Sequence, residues 1–213
     1  MVIVVGEGED GVVDLFAAPA AGGRFTRLTF TGAAEFLPEL TPDGRRVGFV
    51  RQYRDSLVEV VILDLTTMAE RRAPLPATAG FPVRLGWSPG GDSLIVADSL
   101  ALFAVTGREL TVHPVAAAQQ ARAEWLSRER LGDPEFAVIR PCRAAAGYCA
   151  VADTAETPLS GQARDPIRWG TTAVAYIRSG GIEVRPLAGG AATRPSWTAA
   201  PRNLRQPTHH PGR

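Results

Sequence analysis

The chain has 213 residues, 45% of them hydrophobic, which is enough to bury an apolar core and too apolar for a disordered tail. Its 23 basic and 22 acidic residues leave a formal charge of +1 with no basic stripe, so nucleic acid finds no electrostatic footprint. No apolar run reaches the roughly 18 residues of a membrane span, and 22 Gly with 17 Pro interrupt regular elements as often as a fold of many short strands requires.

MVIVV at residues 1–5 reads as a strand, and VVDLFAAPAAGG at 12–23 as the outer part of the same unit. The start has no basic lead-in and turns acidic within seven residues, so it does not read as a secretory signal. Glu7-Gly8-Glu9-Asp10-Gly11 offers oxygens suited to calcium, but it lacks EF-hand spacing and reads as a solvated turn.

LTPDGRRVGF at 40–49 places a turn between two apolar stretches. Pro42 fixes φ, Asp43 can accept a backbone hydrogen bond, and Gly44 tolerates the tight exit. Val47 and Phe49, then Leu57 to Leu63, suit two strands separated by a polar loop at 52–56. Arg51-Gln52-Tyr53-Arg54-Asp55 makes this loop longer than its counterparts, and Arg51, Tyr53 and Arg54 are side chains of the kind that anchor interfaces.

GWSPGGDSLIVADSLALFAV at 86–105 repeats the arrangement, with Ser88-Pro89-Gly90-Gly91 in place of Thr41-Pro42-Asp43-Gly44. EWLSRERLGDPEFAVIRP at 124–141 and RWGTTAVAYIRSGGIEVRPL at 168–187 are weaker copies. Leu40, Trp87, Trp125 and Trp169 fall at one repeat position, where an aromatic is expected to pack between sheets rather than to cage a ligand. AAAQQARAEWLSRER at 117–131 contains good helix formers, yet the register requires a link and an inner strand there.

Cys142 and Cys149 bracket a predicted hairpin turn, which brings their β-carbons within disulfide reach, with free buried thiols the alternative. Their spacing fits no metal site, and no motif places His113 beside them. There is no G-x-S-x-G elbow, phosphate loop or H-E-x-x-H pair, so no catalytic residue, metal or cofactor is indicated.

Each unit thus reads as an approach strand, a Pro/Gly turn, two apolar strands and a short outer strand. Units of 38 to 47 residues with this pattern match β-propeller blades. The predicted fold is all-β, a propeller of about five four-stranded blades, incomplete or part of a larger ring if the chain ends are not native. The propeller covers 1–200, with repeats near 1–32, 33–78, 79–118, 119–161 and 162–200. The tail at 201–213 either supplies the inner strand of the first blade or stays disordered. A Greek-key sandwich is the structural rival.

The pair Leu28-Thr29, then Pro38 and Leu40-Thr41-Pro42-Asp43-Gly44, resembles the WD40-like (PD40) repeat of TolB-type β-propellers. Trp87-Ser88-Pro89-Gly90-Gly91 carries the same motif with Gly for Asp, and the later copies keep only the aromatic. The resemblance implies a propeller of usually six blades and, with the cysteine pair, a cell-envelope or extracellular location. A native N-terminus would instead imply the cytoplasm.

The function expected is a non-catalytic scaffold that binds a protein or peptide through its loop face. The other face of the approach strands carries Glu39, Glu124 and Arg168, with Arg84 and Arg122 nearby. These side chains suit either a ligand site in the central channel or mutual ion pairs along its wall. A small-ligand or hydrolytic channel is therefore the second hypothesis, and a gating part of a larger protein the third.

Overall fold

The computed structural model describes residues 1–54, 57–77, 79–82, 84–88, 90–97, 102–106, 110–114, 138–143, 148–152, 155–159, 163–169, 173–186 and 190–209. No helix occurs among them; all regular structure is strand. The stretch 117–131, including Arg122, Glu124 and Trp125, lies outside the described residues, as does Pro89.

The second blade is the most regular. Strands β5 (Ala34–Leu40), β6 (Arg46–Gln52), β7 (Val58–Asp64) and β8 (Glu70–Pro74) form an antiparallel meander in sequence order. The third repeats it with β9 (Arg84–Trp87), β10 (Ser93–Ala97), β11 (Leu102–Thr106) and β12 (Thr111–Pro114). Among the described residues the fourth and fifth show three strands each: β13 (Val138–Pro141), β14 (Tyr148–Ala152), β15 (Ala155–Pro158), then β16 (Arg164–Trp169), β17 (Ala173–Arg178), β18 (Gly181–Pro186). A bridge from Val184 to Thr193 begins a fourth strand on the last of these.

The first blade joins both ends of the chain. Strands β1 (Val2–Glu7), β2 (Val13–Ala18) and β4 (Thr26–Arg27) are flanked on the inner side by β20 (Arg202–His209), giving the order β20-β1-β2-β4. β20 runs antiparallel to β1, with Val2 opposite His209 and Glu7 opposite Arg202. Val2 to Val5 are fully buried, so their backbone groups must be paired by protein rather than water. The short strands β3 (Gly23–Arg24) and β19 (Trp197–Thr198) pair in parallel and hold the approach to β20.

The turns explain why these strands are so short. In the 41–44 turn the Gly44 amide donates to the Thr41 carbonyl at 2.8 Å, and Gly44 has a φ of 69° that disfavours a side chain. Asp43 Oδ1 accepts the Arg45 amide at 3.0 Å and the Thr41 hydroxyl at 2.6 Å. In the third blade the Gly91 amide donates to Ser88 at 2.8 Å, and the carboxylate binding the Ser88 hydroxyl comes from Asp92, at 2.6 Å.

Strand alternation explains the core. Ile3, Val5 and Leu15 meet Leu40, Val47, Phe49, Val61 and Leu63 between the first and second blades. The neighbouring residues Val2, Val4 and Phe16 face Ala175, Ile177 and Ile182 of the fifth blade, with Leu204. Val50, Val60 and Ile62 face Leu85, Leu94 and Val96 of the third. A sheet buried on both sides needs apolar residues at both parities, so VIVV and VVILDL do not alternate with polar residues.

Candidate functional site

In an antiparallel meander, the connection between the second and third strands and the exit from the fourth lie at one end. The described residues of the segments 8–12, 28–33, 53–54 with 57, and 75–77 with 79–82 therefore share one face of the first two blades, while the turns at 41–45 and 65–69 lie on the opposite one. Three large apolar side chains on the first face are exposed: Phe30 at 71%, Leu57 at 44% and Phe81 at 45%. The fourth such residue among those described, Met68 at 48%, sits on the opposite face. Phe81 meets Phe36 edge to face at 5.8 Å, and the Arg27 guanidinium lies 4.9 Å from the Phe30 ring centre.

Of the loop residues singled out from sequence, Tyr53 and Arg54 belong to this face, Tyr53 half-buried and Arg54 exposed. The Tyr53 hydroxyl donates to Glu59 at 3.1 Å, and its amide closes the loop onto the Leu57 carbonyl at 2.9 Å. Arg51 does not belong to the loop. It is on β6, 1% exposed, because carboxylates from two other strands draw its side chain inward. Its Nε donates to Glu35 at 2.9 Å, and Nη1 and Nη2 grip the Glu70 carboxylate at 2.7 and 2.6 Å. Burial works against the guanidinium charge, and Glu70 and Glu35 more than offset it. Arg51 is thus a fastener within the blade.

Arg51 belongs to a polar seam that sequence reading missed. Asp14 and Glu35 are fully buried, and the Thr29 hydroxyl lies between them, hydrogen-bonded to Glu35 and 3.3 Å from Asp14 Oδ1. Arg27 pairs with Asp14 and with Asp10, the latter at 2.8 Å. The charged residues were legible individually, but their pairing spans up to 19 positions and two sheets.

On the inner strands, Glu39 of β5 is half-buried, and withdrawal from solvent pushes its carboxyl pKa up to about 7, opposed by the positive charge of Arg84 on β9. The Trp87 indole N–H donates to the Glu39 carbonyl at 2.9 Å, tying the two blades. The Arg168 backbone sits on β16 opposite Val174. The structure thus brings Glu39 and Arg84 together, while Arg122 and Glu124 lie outside the described residues. Among the described residues, no three His, Cys, Asp or Glu side chains converge as metal ligands. No helix there is long and apolar enough to cross a membrane.

Cys142 and Cys149 form a disulfide across the hairpin of β13 and β14, with Cα atoms 4.9 Å apart.

No protein-family model and no curated protein matches the sequence. By structure, TolB from Acinetobacter baumannii is similar over 97% of this chain and 65% of its own, with 11% identity and a TM-score of 0.49. The β-propeller domain of the Trilobed protease from Pyrococcus furiosus is similar over 91% of this chain and 78% of its own, with 8% identity and a TM-score of 0.41. The chain therefore spans less than two thirds of the length of that TolB. By the order and stacking of its own sheets the chain is a β-propeller.

Proposed function

We propose that this propeller is a non-catalytic scaffold that binds a protein or peptide partner across the face that carries Phe30, Tyr53, Arg54, Leu57 and Phe81. The supporting observation is the segregation of Phe30, Leu57 and Phe81 to that face. Each exposes apolar surface that folding alone would place inside, and a face that carries these side chains together with Tyr53 and Arg54, with Arg27 over the Phe30 ring, has the composition of an interface centre with a polar rim. Rigid sheets beneath the loops keep the ordering cost of binding low.

Photo-crosslinking residues placed singly at positions 30, 57 and 81 are expected to trap one common partner in the native host, whereas position 68 traps none. Equal labelling from both faces would overturn the reading. A second reading, a small-ligand channel, draws on the Glu39 carboxyl with its pKa of about 7 facing Arg84. It predicts that Glu39→Gln abolishes ligand binding without loosening the partner.

A further inference from the structure

We propose that Asp14 and Glu35 hold one proton between them at neutral pH, which makes the seam between the first two blades a latch that weakens as this proton leaves. Thr29 Oγ already accepts the Leu15 amide at 3.0 Å. Its single hydrogen can be donated once, yet a carboxyl oxygen lies on each side of it, from Asp14 and from Glu35. Two ionised carboxylates would leave one of them facing the lone pairs of the hydroxyl, in a place without solvent. One proton on the pair resolves this: the acid donates to Thr29 Oγ, and the hydroxyl donates to the other carboxylate.

The surrounding charges lead to the same result. Asp10, Asp14, Glu35 and Glu70 face Arg27 and Arg51, with the exposed Arg72 a third cation acting on Glu70, so the two buried carboxyls share Arg27 and Arg51 with Asp10 and Glu70. Asp10 and Glu70 are at the solvent edge and keep their charge, each pulled below its usual range, Asp10 chiefly by the Val12 amide and Glu70 chiefly by Arg51. The remaining polar neighbour is the Thr31 hydroxyl, 3.4 Å from Glu35 Oε1. Burial raises the carboxyl pKa of both Asp14 and Glu35. Like charges at one site titrate as a pair, the second proton leaving much later than the first.

The folded protein then keeps a proton that the unfolded chain releases near pH 4. Stability falls as pH rises from that point and levels off once the folded pair has lost its proton. Asp14 and Thr29 belong to the first blade and its exit, and Glu35, Arg51 and Glu70 to the second, so the loss is felt at their seam.

The test uses the full chain carrying Glu39→Gln, which removes the third raised carboxyl among the described residues. Its melting temperature is expected to fall by several degrees between pH 5 and pH 8. Asp14→Asn and Glu35→Gln, each added singly, are expected to flatten that decline, and parallel declines would overturn the proposal. Infrared spectra at pH 7 provide a readout independent of stability. The carbonyl stretch of a buried protonated carboxyl should be present in the parent and absent from either variant. Its absence from the parent, or its persistence in both variants, would also overturn the proposal.

Discussion

Gly48 on β6 lies directly against Leu94 on β10: a β-carbon at Gly48 would stand 2.7 Å from Leu94 Cδ2 and 3.2 Å from Trp87 Cζ2. Leu94 is fully buried, so a methyl group at this position crowds the contact between the second and third blades. Gly48→Ala is expected to cost about 1–3 kcal/mol in denaturant unfolding. Combined with Leu94→Ala, the loss should be smaller than the sum of the two single losses, because the added methyl enters the space vacated by the leucine.

Arg51 and Arg54 are three residues apart and should behave oppositely. Arg51→Ala leaves the buried Glu35 without its guanidinium and is expected to destabilise the fold by about 3–5 kcal/mol. Arg51→Lys should recover little of this, since an ammonium cannot grip Glu70 and Glu35 together. Arg54→Ala should change stability by no more than about 0.5 kcal/mol and instead weaken partner capture. Chemical unfolding curves for the three variants separate these outcomes.

Glu39 should leave a pH signature of its own. Its folded pKa of about 7 lies above the ordinary carboxyl value, so the folded state holds a proton that the unfolded state has lost. Its contribution is fully favourable below the unfolded pKa and declines as pH rises to about 7, by on the order of 1–3 kcal/mol. A carbon-detected NMR titration should show the Glu39 carboxyl with a midpoint near pH 7, and Arg84→Ala should move that midpoint upward.

The disulfide closes a loop with a sequence separation of seven. The intact mass without reductant should be two hydrogens lighter than with it. In the chain-entropy account, replacing both cysteines by alanine costs about 2.5 kcal/mol, to be read from unfolding in the absence of thiols.

Much of the fold could be read from local residues. The double-parity apolar runs at 2–5 and 58–63, and the turns at 41–44 and 88–91, carry their structural meaning in a few adjacent positions. Leu40, Trp87 and Trp169 pack against the seams as their shared repeat position suggests. The face that exposes Phe30, Leu57 and Phe81 was less legible. Phe30 and Phe81 stand in links between blades, and only the three-dimensional path shows that those links leave a ring uncovered. The burial of Arg51 was illegible for another reason: its position reads as loop, and only Glu35 and Glu70, brought alongside by strand pairing, turn it inward.

β20 has a consequence for how the protein folds. The strand that covers the inner edge of β1 lies far from it in sequence, Val2 pairing with His209, so this pairing carries a high loop-closure cost and forms late. Until then VIVV presents an open edge, the kind of surface on which nascent chains aggregate. A circular permutant that begins at Arg202 and continues through a short linker into Met1 would deliver the two strands together as a hairpin. It should refold faster and leave less insoluble protein than the natural order.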